Sequence, residues 1–194
     1  MIRLLALAFA LPLAAAAPGA AQEATPMGSA APPDAAECQV APRPIEDFRA
    51  LLGTPVPPTP ETFAAPAGDP ADPAIVEGVL ATVRELLACH NAGDFQRQAA
   101  LYTDAGFVED FRGLAEDDVA VIATPSPGFL PPLRLVTVRD VVVLDDGRVG
   151  AVVVTFTSEV ERDDYLFLVE QDGRYLVDHF VDEYVPSVAG TPTP

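Results

Sequence analysis

The chain has 194 residues and sets 11 basic against 29 acidic side chains, a formal charge of −18. A surface this acidic repels phosphate backbones and anionic bilayers, which argues against nucleic acid and anionic membranes as partners. Every basic residue is an arginine; we read this, with the heavy use of Ala, Pro, Val and Asp, as nucleotide-composition bias that says little about activity.

Residues 1–21 read as a signal peptide. Arg3 supplies the positive end, Leu4 to Ala17 an apolar run broken by Pro12, and Gly19-Ala20-Ala21 the small residues before a cut ahead of Gln22. A cut after Ala17 would set Pro18 beside it, a poor position for processing. The apolar run is shorter than the about 20 residues a bilayer span requires. No Cys stands near the cut to carry a lipid, and no second segment is long enough to span. The expected mature chain is soluble, lacks a transmembrane segment, and is secreted or held in the cell envelope.

Residues 22–37, rich in Ala and Pro, are expected to form a disordered linker. An N-terminal arm follows over 38–73. Its first part spaces Ile45, Phe48, Leu51 and Leu52 as a short helix after Pro44, packed as an appendage. Its second, from Gly53 to Pro73, carries seven prolines and can hold neither a regular helix nor a central strand. It is expected to be extended chain, a spacer or surface wrap, with partner recognition as the alternative. Cys38 and Cys89, an even pair in an exported chain, suggest one disulfide. In a chain-entropy estimate the loop it closes is worth about 4 kcal/mol. Two buried thiols, or Cys89-His90 as a reactive or metal pair, are the alternatives.

The main domain is expected over 74–185. Asp72 and Pro73 make a helix start, and Ile75, Val76, Val79, Leu80, Val83, Leu86, Leu87 and His90 form one apolar face that Gly93 ends. Asp94 can cap a shorter helix through Tyr102. Short elements are expected near Phe107–Phe111 and Val119–Ile122, then a Pro-rich loop. Four antiparallel strands follow at about 133–144, 148–160, 164–170 and 174–185. Asp145-Asp146-Gly147 and Gln171-Asp172-Gly173 read as three-residue hairpin turns. Residues 186–194 read as a flexible tail.

Alternation puts Val136, Val138, Val142 and Leu144 on one side, and likewise Val152, Val154 and Phe156, as the core face. The other face, with Val141, Val143, Ala151 and Val153, is half apolar. A second subunit is its expected cover, because a bare apolar patch is costly in water.

The run CHNAGDF closing the long helix, ALYTDAG closing the next, and hairpins with LDDGRVGA and EQDGRYLVDHF resemble the SnoaL-like members of the nuclear transport factor two-like superfamily. The resemblance covers about 74–185. It implies an α+β fold, a cone-shaped barrel whose curved antiparallel sheet wraps a long N-terminal helix and leaves a pocket at the wide end. Members include isomerases, cyclases, dehydratases, epoxide hydrolases and many non-catalytic binding modules, and often dimerise through the outer sheet face. The fold therefore leaves the function open.

For proton transfer such a pocket needs a carboxylate or His in apolar surroundings. Asp140 is the first candidate, with an outward bulge position as its bland alternative. On the last strand Asp178 and His179 follow, of which one can face inward. Tyr102, Val138, Phe156, Tyr165 and Phe180 are the candidate lining for a small apolar ligand, and Tyr102, Tyr165 and Tyr184 could donate to its oxygen. The acidic pairs lack the spacing of a calcium loop, and no hydrolase, zinc-protease, P-loop or Rossmann motif occurs, so neither metal nor cofactor is expected. These features imply an exported, non-catalytic domain that binds a small molecule or a protein partner. The alternative is an isomerase, cyclase or hydrolase using Asp140, Asp178 or His179 as base.

Overall fold

The structure, a computed structural model, describes residues 31–55, 63–157 and 160–182. The expected signal peptide and its cut, Tyr184 and the tail lie outside those residues. The fold is α+β, with helices leading into a five-stranded antiparallel sheet.

Helix α2 (Pro73–Ala92) starts where the Asp72 carboxylate accepts the Ile75 amide at 3.0 Å, and stops at Gly93, whose φ of 65° turns the chain left-handed. α3 (Phe95–Ala99) is capped by Asp94 but ends before Tyr102. Leu101–Thr103 instead runs beside the last strand, its carbonyl and amide bonded to Val177 at 2.9 Å each. Two hydrogen bonds to an otherwise bare strand edge replace a final helical turn. α4 (Asp104–Phe111) and α5 (Glu116–Ile122) settle the two mixed segments as helices.

The arm is more integrated than its composition suggests. The last residues of the expected linker form a 3-10 turn at Ala35–Glu37, with Asp34 and Glu37 capping reciprocally. The Cys38–Cys89 disulfide is formed, and beside it Arg84 holds Glu37 at 2.8 Å while Glu85 accepts the amides of Gln39 and Val40. Helix α1 (Ile45–Ala50) is no appendage. Phe48 is fully buried and meets Phe107 and Phe111 edge to face at 5.0 and 5.2 Å.

The strands β1 (Asp69–Pro70), β2 (Arg134–Val143), β3 (Val149–Phe156), β4 (Glu161–Gln171) and β5 (Arg174–Val181) pair in chain order. β1 is a two-residue edge strand in the Pro-rich segment, where a proline's missing donor does least harm. The loop Asp145–Gly147 has three residues, with Gly147 at φ 84°. The last hairpin differs from expectation. Gln171 pairs with Arg174, so only Asp172 and Gly173, both with positive φ, make a two-residue turn. β4 also begins earlier than expected, at Glu161, drawing ERDD into the ladder opposite Phe156–Val153.

Two register shifts in β2, between Leu135 and Thr137 and between Arg139 and Val142, correct the face assignment. Each extra residue flips the alternation. Val138, Val141, Ala151 and Val153 therefore face the helices, with Leu135, Val149, Leu166, Leu168 and Val177. Val142, Leu144, Val152 and Val154 face the other way, with Tyr165 and Phe167. The half-apolar face that was expected to need a second subunit, with Val141, Ala151 and Val153, is therefore the one packed against the helices, whereas Phe63 and Ala65 of the chain's own arm pack on the outer cluster, on the face that was expected to be the core.

The sheet stays open instead of closing into a barrel. β1 is too short to close it. The free edge of β5 is occupied: the Thr82 hydroxyl donates to the Tyr175 carbonyl at 2.6 Å, and Leu101–Thr103 takes Val177. No helix among the described residues is long and apolar enough to cross a membrane.

Candidate functional site

The sequence-derived candidates do not converge. Asp140 occupies the second bulge of β2 at φ 53°, exposed, and pairs with Arg139, which also reaches Asp163. Asp178 is the bulged residue of β5. It accepts the Thr103 hydroxyl at 2.8 Å and lies 3.6 Å from Arg148. His179 faces the outer side, stacked on Phe167 at 5.4 Å with its Nδ1 against Glu109 of α4. None of the three enters the helix-side core.

The expected lining residues are likewise split. Tyr102, Val138 and Phe180 belong to the helix-side cluster, whereas Tyr165 is buried in the outer one. Phe156 sits at the end of β3 under the Arg134 guanidinium, 4.7 Å from its ring centre. Side chains of α1, α2 and α4 pack against those of the sheet in one buried cluster.

Two other constellations were not identified from the sequence. The first joins α3, α4 and the end of β5. The Tyr102 hydroxyl is buried near the Asp110 carboxyl and the Gln98 side chain. Burial pushes the Asp110 carboxyl up to about 6; the nearby Tyr102 hydroxyl pulls it down in part, and the negative charges of Asp182 and Glu109 add to the rise. The Tyr102 phenol rises well above its ordinary range, first from burial and then from Asp110. A carboxyl poised near neutrality beside a phenol can exchange a proton. One signal was present: Asp110 sits between Phe107 and Phe111 on α4, both of them buried.

The second is a groove of about 530 Å³ between the first turns of α2 and the β4–β5 hairpin. Ile75, Gly78 and Ala81 form part of its wall, with Tyr175 opposite and Asp72 and Glu170 also lining it. The Tyr175 ring lies on Gly78 so closely that a Cβ there would come within 2.7 Å of two ring carbons. Gly78 and Tyr175 meet only in the folded chain, so spacing gave no hint of the groove.

Among the described residues no group of three or more His, Cys, Asp and Glu side chains is gathered as a metal site. No protein-family model, no curated protein and no solved structure matches this chain.

Proposed function

We propose that this is an exported, non-catalytic domain of the SnoaL-like kind that binds a small molecule or a partner's side chain in the groove between α2 and the β4–β5 hairpin. The observation that carries this reading is the contrast between a helix–sheet interior of clustered, buried apolar side chains and a mixed apolar and polar groove at its margin. Ligand sites combine such apolar walls with a few placed polar groups. The cone-shaped arrangement is supported by α2 lying against β2 and β5, the strands on either side of the β3–β4 pair, as a curled sheet would require. Export is supported by the signal-like N-terminus and by the disulfide, a bond of oxidising compartments. The half-apolar face that motivated a homodimer, with Val141, Ala151 and Val153, packs against the helices, while Phe63 and Ala65 cover part of the opposite face.

Amide-shift mapping with a mixed fragment library tests the reading. Shifts should cluster at Gly78, Thr82, Gly173 and Tyr175. Clustering around Tyr102 and Phe180 would return the site to the interior and refute the groove.

A second reading has one specific observation behind it, the Asp110 carboxyl near 6 against the Tyr102 phenol. It makes Asp110, in place of Asp140, Asp178 or His179, the proton-transfer group of an isomerase, cyclase or hydrolase. Turnover of any substrate that survives Asp110→Asn unchanged would remove it.

A further inference from the structure

We propose that the groove takes an organic cation, an alkylammonium or guanidinium group, with its stem along Ile75 and Ala81 and its charge between Asp72 and Glu170 beside the Tyr175 ring. This deepens the reading of the groove as a binding site and rests on it.

Charge decides the class. The groove contains two carboxylates, Asp72 and Glu170, and one guanidinium, Arg174. Arg174 is paired with Glu85 of α2, so its charge is balanced from inside the protein. The start of α2, which would otherwise attract an anion, is already capped by the Asp72 carboxylate at 3.0 Å from the Ile75 amide. The remaining charge favours a cation.

The aromatic wall agrees. Tyr175 is held against Gly78, which fixes its ring. Burial raises its phenol, and the Glu170 and Asp72 carboxylates raise it further, so their fields meet at this ring. A ring in a negative field is a favourable partner for ammonium or guanidinium, with Arg-like groups the commoner visitors. The chain's overall charge of −18 concentrates cations at the surface before docking. Apolar residues Ile75 and Ala81 offer an alkyl stem the contact that a bare metal ion could not use.

The test is a titration of the full mature chain with butylguanidinium, butylammonium, butyrate and butanol, followed by amide shifts. Both cations should give saturable shifts at Gly78, Gly173 and Tyr175. The pair Asp72→Asn and Glu170→Gln should weaken them about tenfold. Asn at 72 keeps the helix cap, so an unchanged spectrum elsewhere controls for folding. Tyr175→Leu should weaken the guanidinium more than butanol.

If butyrate or butanol saturates the same amides at least as tightly as the cations, the cation assignment fails while the groove stands as a site. If none of the four moves those amides, both fail. An arginine flanked by two alanines as a blocked peptide then identifies the source: tighter binding than butylguanidinium points to a basic side chain of a partner, equal binding to a free amine. Either supports the proposal.

Discussion

Both faces of the sheet are apolar, yet they are sealed by different means. The helix side is closed by α1, α2 and α4, whose Phe48, Val79, Val83 and Phe107 are at most 3% exposed. The outer side is covered in part by Phe63 and Ala65, half-buried residues from a proline-rich arm that pairs with the sheet through the two-residue strand β1. One cover is regular structure with its own periodicity. The other is an irregular strap that joins the sheet through β1. The difference separates what gives the domain its stability from what shields it from association.

Breaking the helix side should have the largest effect. Phe48→Ala removes a fully buried ring that two phenylalanines meet edge to face, and should cost about 3–5 kcal/mol in chemical denaturation. Removing the disulfide comes next. Cys38→Ala with Cys89→Ala should cost roughly 2–5 kcal/mol and speed amide exchange along 31–43 more than along β3.

The Asp110 carboxyl gives a smaller, pH-dependent effect inside the helix-side cluster's margin. Its folded pKa of about 6 lies above the ordinary 3.8, so the folded state holds the proton more tightly. That contribution is complete below the ordinary value and is lost as pH rises through 6. The stability difference between wild type and Asp110→Asn should therefore shift by on the order of 2 kcal/mol between pH 4 and 7, in favour of the variant at the higher pH. A flat difference would contradict the burial assigned to Asp110.

Loosening the strap should be mildest. Phe63→Ala is expected to cost about 1–2 kcal/mol while leaving the helix-side core intact. Its sharper consequence is association: Val152, Val154, Tyr165 and Phe167 lose cover, and sedimentation should show concentration-dependent self-association absent from the wild type.

The same contrast explains what could be read in advance. α2 was legible because Asp72-Pro73 and Gly93 mark its ends and its apolar face repeats with the helical period. The disulfide and the Asp145–Gly147 turn were legible from cysteine parity and turn chemistry. The sheet faces were not. Bulges at Val136 and at Asp140–Val141 leave no compositional trace, yet each reverses the alternation for the rest of β2. The strap was hidden for a related reason, since Phe63 is one aromatic in a run without period. Both unforeseen constellations, Tyr102 with Asp110 and Tyr175 with Gly78, join residues across corners of the fold, where spacing along the chain carries no information.

The most direct measurement is a set of ring-to-ring nuclear Overhauser contacts from Phe63 in a sample mixing labelled and unlabelled chains. We expect contacts from Phe63 to Tyr165 and Phe167 within one chain and none between chains. Contacts from those two rings to a second copy, with Phe63 free in solvent, would show that the outer face is built to be covered by a partner instead of by its own arm.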